Sequence, residues 1–381
     1  MYISEKSSNF AQKGVFMRKY KKEKISSKVI IDSRFSYLYG SFYLYGLVEL
    51  FGWSNIRFSY STFSDLSDPE WNIRFIISVR GVTKRYFIQT NDSYHISQED
   101  YDWCDVYGHV NANYTYYPKE KYPKIVSLVP SFGIRAVNLY RTVVISVCCF
   151  FKSFEAIVNR VEWNKWKNCH EVNKTKNIKL FFTRYYKCFK NRLPYLEYEK
   201  EIPVRDDYVF FLSTLWYNDD YNQNDKCVNL RRATFIRACY LIKRLKFEGG
   251  LLADLSSTKE KFTDVLVEKG ETFKSWIDKT KSSLLVFNTP AFWNCHGWKL
   301  GEYLALGKCI VSTKLSNDLP CPLCHGENIH FVENSQEAMA EAIEYILVHP
   351  EYRKRLEKGA QIYWNAYGTP IQSLKLLGIE A

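Results

Sequence analysis

The stretch that decides the fold is Cys295-His-Gly-Trp-Lys-Leu-Gly-Glu302-Tyr-Leu-Ala-Leu-Gly307-Lys-Cys-Ile-Val-Ser312. A glycine-containing loop opens a helix predicted over Lys299–Leu306, Gly307 ends it, and an apolar strand follows from Cys309 to Thr313. The first N–H groups of a helix have no partner within it, and they attract anions together with the positive end of the helix dipole. The stretch therefore predicts a phosphate-binding turn in an α/β domain.

Glu302 lies one turn inside that helix, at the i+3 position from Lys299. At this position a carboxylate can accept hydrogen bonds from the two vicinal hydroxyls of a ribose. The alternative is that Glu302 only favours the N-terminal end of its own helix, where acidic residues are common. Geometry alone leaves both interpretations open.

Strands and helices alternate through the second half of the chain, on both sides of this stretch. Apolar runs predict strands at Tyr208–Ser213, Leu251–Ala253, Ser283–Phe287, Cys309–Thr313 and His330–Val332. Helical patterns separate them at Leu230–Lys246, Lys259–Gly270, Thr272–Asp278 and Ser335–Leu347. Short connections between such elements favour a doubly wound parallel sheet.

The first half of the chain begins with the same alternation. Short β-rich runs occur at Val29–Ile31, Ile56–Tyr60, Ile73–Val79, Arg85–Gln89, Val106–Val110 and Ile125–Val129. Between the first two, apolar residues from Ser41 to Phe51 predict a helix that Gly52 ends. Strand, helix and strand in this order predict a βαβ unit, so the fold class is α/β.

The composition is that of a folded protein of about two domains. The 381 residues are 46% hydrophobic and 25% charged, which excludes a disordered, collagen-like or coiled-coil chain. No apolar run approaches the ~18 to 20 residues that cross a bilayer, so a soluble protein is expected. The first residues lack the order of a signal peptide and the 11 cysteines have no regular spacing, and we therefore expect a cytoplasmic protein with free thiols.

A family resemblance adds to these patterns. The stretch from His296 to Ser312, with Leu319-Pro-Cys-Pro-Leu-Cys-His-Gly326 and the helix from Ser335, resembles the donor-binding half of GT-B glycosyltransferases of the retaining group 1 type. It is most similar to enzymes of bacterial surface-polysaccharide synthesis. The resemblance implies two Rossmann-like domains facing each other across a cleft, and a hexosyltransferase-like enzyme that moves a sugar from a nucleotide diphosphate to a hydroxyl of a glycan or lipid-linked glycan. The nucleotide sugar is then a substrate, and no cofactor is expected.

This architecture divides the chain into five parts. The polar composition of Tyr195–Asp207 predicts a linker between the two domains. We expect a basic leader over 1–27, an acceptor-side domain over 28–194, the linker over 195–207, a nucleotide-sugar donor domain over 208–362, and a final helix over 363–381. The resemblance implies that this helix crosses back onto the first domain.

The resemblance also implies donor-binding residues. The family carries two glutamates eight positions apart; Glu302 matches the second, which implies ribose contact, and Asn294 stands where the first would be. Arg232 resembles the basic residue that meets the donor diphosphate, with Arg231 as the alternative and Lys299 in a similar role. A guanidinium suits phosphate oxygens because it forms paired, charge-assisted hydrogen bonds. The turn before the helix adds three further candidates: His296, Gly297 and Trp298.

Candidate catalytic residues of the first domain follow its strands. Asn91 and Asp92 come after the strand Arg85–Gln89, and His109 ends the strand Val106–Val110. Because α/β folds bind ligands at the carboxyl ends of strands, these side chains can line the cleft from the acceptor side. Alternatively, Asn-Asp forms an ordinary turn and the histidine is a satisfied core residue.

No metal site is expected from the sequence. Asp100-Tyr-Asp102 matches the D-x-D signature of the other transferase fold, GT-A, but such three-residue matches arise readily by chance. Cys321-Pro-Leu-Cys324-His325 spells a haem-attachment pattern, and it lacks the second close-spaced pair that a zinc site needs. A metal-dependent GT-A-type transferase remains the alternative if the aspartates are functional.

The charge is unevenly distributed. All of the net charge of +12 lies before Arg205, and Arg160–Arg192 interleaves basic with aromatic residues. The preceding apolar stretch, Asn138–Ile157, predicts either a buried helix or a face that dips into a membrane. We expect peripheral attachment to an anionic membrane rather than nucleic-acid binding, because the second domain is neutral and carries the phosphate-binding turn. A catalytically inactive sugar-binding relative is a further alternative, for which Asn294 is the sequence signal.

Overall fold

The computed structural model describes residues 27–164, 169–215, 228–253 and 262–380. Apart from Ser27, the predicted basic leader lies outside these residues. The described residues form two Rossmann-like α/β domains that face each other across a cleft, which confirms the predicted fold class.

The first domain is built on a six-stranded mixed sheet in the order β2-β1-β3-β4-β5-β6. β1 pairs with β2, β4 with β5, and β5 with β6, all in parallel, so the predicted βαβ unit is present. β3 runs antiparallel to both of its neighbours, which the sequence did not predict. The strands are β1 (Ser27–Asp32), β2 (Ile56–Ser59), β3 (Ile73–Val79), β4 (Val82–Gln89), β5 (Val106–His109) and β6 (Ile125–Ser127).

A two-residue turn explains why β3 and β4 form a hairpin instead of a crossover. Arg80 and Gly81 connect them with φ values of 51° and 83°. Two successive residues with positive φ fit a type I′ turn, whose twist matches that of the flanking antiparallel strands. The polar pair Arg80-Gly81 between two β-rich runs is therefore the local signal for the reversal.

The helices of the first domain cover its sheet and extend beyond it. They are α1 (Tyr37–Phe51), α2 (Gln98–Trp103), α3 (Leu139–Lys152), α4 (Phe154–Val158), α5 (Lys174–Asn191) and α6 (Leu196–Glu199). A short antiparallel pair, β7 (Glu162–Asn164) and β8 (Cys169–Glu171), separates α4 from α5. α6 lies within 195–207, where the Lys281 side chain donates to the carbonyls of Glu197 and Lys200 and attaches the segment to the second domain.

The second domain contains a parallel sheet in two runs, β11-β10-β9 and β12-β13-β14. The runs meet where Leu284 N donates to Tyr208 O at 2.7 Å and Phe210 N donates to the Ser283 hydroxyl at 2.8 Å. Numbered within the domain, the strand order is 3-2-1-4-5-6, that of a dinucleotide-binding Rossmann fold. The strands are β9 (Tyr208–Thr214), β10 (Lys246–Leu252), β11 (Leu266–Val267), β12 (Val286–Asn288), β13 (Ile310–Ser312) and β14 (His330–Phe331).

The helices of the second domain alternate with these strands. They are α7 (Val228–Leu241), α8 (Phe273–Ser282), α9 (Trp298–Ala305), α10 (Gln336–Val348), α11 (Pro350–Tyr363) and, after a π-helical turn at Trp364–Gly368, α12 (Pro370–Leu376). The helix predicted over Lys259–Gly270 is wrong in its described part, because Leu266 and Val267 pair with β10 as the edge strand β11. The three apolar residues Val265–Val267 carry too little pattern to separate a helix end from a short strand.

α12 packs against α1 of the first domain. A Cβ on Gly46 would lie 2.7 Å from the Pro370 carbonyl oxygen, so only glycine lets the two helix backbones approach this closely. The Trp364 indole packs on Phe132 and donates to the Tyr195 hydroxyl at 3.1 Å. Residues after α11 thus contribute to the core of the first domain.

The exposed face of α3 is apolar, and its buried face is partly polar. The helix buries Thr142, Ile145, Ser146 and Cys149. Large apolar side chains on its other side are at least 40% exposed: Leu139, Tyr140, Val143, Val144, Val147 and Phe151. The interpretation of this stretch as a buried helix is therefore wrong for one side of it. Among the described residues, no helix combines the length and hydropathy that a bilayer span requires.

Candidate functional site

A cavity of about 970 Å³ lies at the carboxyl ends of β9 and β12. The chain leaves these neighbouring strands toward opposite faces of the sheet, which is the switch point where α/β folds bind ligands. Ser213 and Thr214 end β9, Asn288 ends β12, Thr289 follows it directly, and all four residues line the cavity. Gly297 and Trp298, at the start of α9, line it as well, so the N-terminal end of this helix faces the cavity.

Two cationic side chains converge on this cavity from different helices. Arg232 of α7 is 7% exposed and its guanidinium donates to the Thr214 carbonyl at 3.0 Å. Lys299 of α9 donates to the Leu212 carbonyl at 2.7 Å and lies 4.5 Å from the Phe211 ring centroid. Burial, and then the nearby Arg232 charge, lower the pKa of Lys299 well below its usual value. An anion in the cavity would favour the charged form of Lys299 and would contact both Lys299 and Arg232.

Arg231 occupies a different position from its neighbour. It is 8% exposed, and it does not line the cavity that Arg232 lines. Successive residues of a helix point about 100° apart, so two adjacent arginines need not face the same space. The structure therefore favours Arg232 over Arg231 as the candidate for diphosphate contact.

Glu302 lies in the wall of the same cavity, on the second turn of α9. It is 4% exposed, and among the described residues no hydrogen-bond donor reaches its Oε1 atom. Burial raises the pKa of Glu302 to about 7, partly offset by the positive charges of Arg192 and Lys299. A buried carboxylate oxygen without a donor is costly, and hydroxyl groups of a ligand would satisfy it.

The first domain contributes Arg192, a residue that the sequence analysis had assigned only to a basic stretch. Its guanidinium lies 3.8 Å from Glu302 Oε1 and stacks over the rings of Phe273 and Trp298 at 4.4 and 5.0 Å. Arg192 follows the C-terminal end of α5, so both domains build this cavity. Asn288 and Thr289 were also missed, although both directly follow a predicted strand, which is the signal that could have found them.

Asp92 also lines the cavity, as the only carboxylate of the first domain in the described lining. Burial raises the pKa of its carboxyl, and the neighbouring Cys295 thiol partly offsets the shift by hydrogen bonding. A carboxylate with a raised pKa can accept a proton from a hydroxyl group. The other two catalytic candidates, Asn91 and His109, do not line the cavity.

His109 and Asn91 have internal partners instead. His109 is 1% exposed, its Nδ1 accepts from Asn111 N at 3.0 Å, and its Nε2 faces the Tyr94 carbonyl at 3.3 Å. Burial lowers the pKa of His109 to about 3, so its imidazole is neutral. The Asn91 side chain accepts from Gln89 at 2.8 Å. These contacts match the alternative in which both residues are structural.

His296 and Asn294 lie at the contact between the domains, outside the lining of the cavity. His296 N donates to Asn111 Oδ1 at 2.6 Å, and the Asn317 amide donates to the Asn294 carbonyl at 3.2 Å. Burial lowers the pKa of His296 to about 4. The segment after β13 adds Asp318, which accepts from Tyr114 N at 2.7 Å and was not foreseen from the sequence. These polar contacts connect the first domain to the second.

The two aspartates of the D-x-D pattern have separate partners. Asp100 is 3% exposed and pairs with Arg74 inside the first domain. Asp102 accepts from the Gln98 amide at 2.8 Å on the surface of α2. The carboxylates therefore do not converge on a common point. Among the described residues, no group of three or more His, Cys, Asp or Glu side chains is arranged to hold a metal ion.

The burial of Glu302 gives a testable dependence of stability on pH. Because the pKa is raised from 4.5 to about 7, the folded state binds a proton that the unfolded chain has released, and the stability falls as pH rises through this window. Glu302→Gln removes this cost and is expected to stabilise the ligand-free protein by on the order of 3 kcal/mol at pH 8. Thermal unfolding at pH 5 and pH 8 measures it. A difference that is the same at both pH values would contradict the buried, proton-binding carboxyl.

Comparisons with known proteins find distant structural likenesses only. No sequence family and no curated protein matches the chain. A solved glycosyltransferase from Rickettsia africae covers 89% of this chain and 78% of its own at 11% identity and a TM-score of 0.37. HepE from Anabaena, solved with UDP and glucose, covers 76% and 97% at 10% identity and a TM-score of 0.31. Sucrose-phosphate synthase from Thermosynechococcus elongatus covers 47% and 49% at 16% identity and a TM-score of 0.33. At these values the likeness carries no argument about function, which must come from the site.

Proposed function

We propose that the protein is a glycosyltransferase that moves a sugar from a nucleotide-diphosphate donor to a hydroxyl of a glycan or lipid-linked glycan. The observation that carries the proposal is the meeting of Arg232, Lys299 and the buried, unsatisfied Glu302 in one cavity at the switch point of a Rossmann sheet. Two cations beside a helix N-terminal end suit a diphosphate. A carboxylate beside them suits the two hydroxyls of a ribose. The combination fits a nucleotide better than a simple anion.

The same residues stabilise the diphosphate as it leaves the donor sugar. As the bond from the sugar to the diphosphate breaks, negative charge develops on the leaving oxygen. Arg232, Lys299 and the N–H groups at the start of α9 stabilise that charge because they are fixed in place before the reaction. In this proposal Asp92, which lines the cavity from the first domain, accepts the proton of the attacking acceptor hydroxyl. Retention of the anomeric configuration is part of the proposal and rests on the sequence resemblance.

A screen of nucleotide sugars tests the proposal. Thermal unfolding is followed with UDP-, GDP-, ADP-, CMP- and dTDP-linked sugars. A donor present at ~100 times its Kd should stabilise the folded protein by about 2.7 kcal/mol. NMR of the product formed with the stabilising donor and a glycan acceptor then reads the anomeric configuration. The absence of stabilisation by every nucleotide sugar would overturn the proposal, and an inverted product would overturn retention alone.

Activity is expected to survive chelation. The proposal assigns the diphosphate charge to Arg232, Lys299 and helix N–H groups, and the Asp100 carboxylate is already paired with Arg74. Initial rates are measured with and without excess EDTA. The same concentration of EDTA already saturated with magnesium serves as the control for ionic strength. Complete loss of activity that Mg²⁺ or Mn²⁺ restores would favour the metal-dependent alternative.

We further propose that the first domain attaches peripherally to an anionic membrane, on the cytoplasmic side where surface polysaccharides are assembled. The support is the exposed apolar face of α3 beside the basic helix α5, since the two helices pack against each other. Phe151 and Tyr140 are 73% and 76% exposed, and Lys174 and Lys179 are exposed on α5. Apolar insertion and charge attraction are the two signals that peripheral attachment requires.

Binding to vesicles is therefore expected to have two separable components. Neutralising Lys174, Lys176, Lys179 and Arg184 together should remove the part that needs anionic lipid and that salt weakens, at about 1 kcal/mol per charge. Val143→Ser with Phe151→Ser should remove the part that persists at high salt. Val348→Ser with Ile362→Ser is the matched control, because these apolar residues are exposed on α10 and α11 instead. Unchanged co-sedimentation of all variants, or no binding by the wild type, would contradict membrane attachment.

A further inference from the structure

Arg192 and Glu302 face each other across the cleft without a hydrogen bond between them. Arg192 belongs to the first domain, where it follows α5, and Glu302 belongs to α9 of the second domain. The guanidinium Nη1 atom lies 3.8 Å from Glu302 Oε1. This distance permits electrostatic attraction and is too long for a hydrogen bond. A separation of this kind raises the question of which group completes the contact.

Both side chains have hydrogen-bonding capacity that the protein does not use. Within the part of the chain that the structure describes, the Arg192 guanidinium has its ion pair and two aromatic contacts but no hydrogen-bond acceptor. No described donor reaches Glu302 Oε1, although this carboxylate is buried. A guanidinium can only donate hydrogen bonds, and an ionised carboxylate can only accept them. The missing group must therefore do both.

The guanidinium is held in place by aromatic rings. It lies 4.4 Å from the ring centroid of Phe273 and 5.0 Å from that of Trp298. These rings belong to the first residues of α8 and α9, where the positive ends of two helix dipoles disfavour a cation. The rings and the Glu302 carboxylate compensate for this cost. Stacking leaves the N–H groups at the edge of the guanidinium available to a ligand in the cavity.

A hydroxyl group has the chemistry that this pair requires. It donates one hydrogen bond and accepts others, whereas a phosphate or carboxylate would satisfy Arg192 and repel Glu302. An oxygen approaching from the cavity can contact both atoms, since two hydrogen bonds of about 2.8 Å together exceed the 3.8 Å between them. Arg232 and Lys299 line the same cavity and suit a diphosphate. A hydroxyl near a diphosphate indicates the ribose of a nucleotide.

We propose that Arg192 binds the nucleotide-sugar donor directly, and that one ribose hydroxyl donates to Glu302 and accepts from Arg192. The inference rests on the proposed function, since the cavity must hold a nucleotide. A nucleotide without this hydroxyl would leave both charged groups unsatisfied, so the pair selects nucleotides that carry it. Recognition of the ribose then needs both domains, because each supplies one of the two side chains.

Calorimetric titration of the full chain tests the contact. UDP, GDP and ADP are titrated first, and the nucleotide that binds tightest is compared with its 2′-deoxy and 3′-deoxy forms. Arg192→Met keeps an unbranched side chain beside the two rings and removes the N–H donors. It is expected to bind the ribonucleotide about tenfold more weakly than wild type does. One of the two deoxy forms should bind both proteins equally, because it lacks the bridging hydroxyl.

Arg205→Met is the matched control. The Arg205 guanidinium also stacks on an aromatic ring, 4.1 Å from the centroid of Tyr208, but the residue is outside the lining of the cavity. The same substitution therefore removes a stacked arginine elsewhere and should leave every affinity unchanged. Arg192→Ala is the second variant, with the same expected loss, in case methionine disturbs the rings. Thermal unfolding checks that each variant folds.

A pH series separates direct contact from an effect exerted through Glu302. Burial raises the pKa of Glu302, and the charges of Arg192 and Lys299 offset part of this shift, so losing Arg192 hinders ionisation of the carboxyl near neutral pH. Raising the pH to 9 ionises it in both proteins, and the tenfold difference should persist there. Lys299, Tyr198 and Tyr303 also face this carboxyl and are present in both proteins, so the ratio of affinities cancels their titration.

Three results would overturn the contact. The first is a difference that disappears at pH 9, the second is an equal loss with the ribonucleotide and both deoxy forms, and the third is an equal loss in Arg205→Met. The proposed function has a separate readout. If one nucleotide binds wild type and Arg192→Met equally, the proposed function stands and this inference fails. If none of the three nucleotides binds wild type, both fail.

Discussion

Replacing Glu302 with alanine is expected to weaken binding of the nucleotide-sugar donor about 100-fold while leaving the fold intact. The variant lacks the carboxylate and therefore its hydrogen bonds to two ribose hydroxyls. Hydrogen bonds to a charged group contribute ~1.5 to 3 kcal/mol each. The fold should tolerate the change because burial of this carboxyl is costly in the absence of a ligand. Calorimetry gives the Kd, and circular dichroism checks folding.

A modified donor identifies the contact more sharply than affinity alone. The 2′-deoxy form of the cognate nucleotide should bind wild type about tenfold more weakly than the parent nucleotide, and should bind Glu302→Ala as well as the parent does. Only a direct contact between the carboxylate and the hydroxyl makes the two losses non-additive. Donor affinity should also fall as pH drops below about 7, since protonation removes the acceptor charge. Equal effects of the deoxy substitution in both proteins would refute the ribose assignment.

Arg232→Ala is expected to lower kcat about 100- to 1,000-fold. Removing one preorganised donor from developing charge costs ~2.7 to 4 kcal/mol in the transition state, and Arg232 is fixed by the Thr214 carbonyl before any ligand binds. The effect on kcat should exceed the effect on KM, because charge on the diphosphate grows as the glycosidic bond breaks. Steady-state kinetics with the cognate donor measure both constants.

Arg231→Ala is the matched comparison for this prediction. The residue is buried on the same turn of α7 and lies outside the cavity lining, so kcat should stay within a few-fold of wild type where the protein folds. Added guanidinium ion should restore part of the activity of Arg232→Ala and none to wild type. A larger loss in Arg231→Ala than in Arg232→Ala would keep the phosphate-binding turn and reassign the arginine.

The strands and the donor-side cluster could be predicted because their signals are local. A buried run such as Tyr208–Ser213, followed by a helix that starts with charged residues, places Arg232 at the carboxyl end of a strand from sequence alone. Lys299 and Glu302 share one helix turn with a recognisable glycine loop. Their meeting in one cavity follows from the parallel sheet, while their roles toward a donor stay predictions.

The remaining parts of the site could not be predicted because they depend on contacts between residues far apart in sequence. Nothing local in Arg192 connects it with Glu302, and nothing in Asn111 connects it with His296. His109 seemed exposed at a strand end because the sequence does not reveal that the Tyr94 carbonyl and Asn111 occupy both of its ring nitrogens. The outward-facing valines of α3 matched one of two interpretations that the sequence left open, since a helix pattern fixes the relative positions of two faces without saying which one the protein covers.

The contact between α1 and α12 sets an order of events during synthesis. A ribosome makes the first domain early, yet the face of α1 around Gly46 receives its native partner only after Pro370 has been translated. Domains usually fold as units from the N-terminal end as the chain emerges. Here the sheet of the second domain can form while the first domain is still incomplete. The apolar face of α1 therefore stays uncovered until α12 has been translated. The domain that is translated first is the one that chaperones must guard longest.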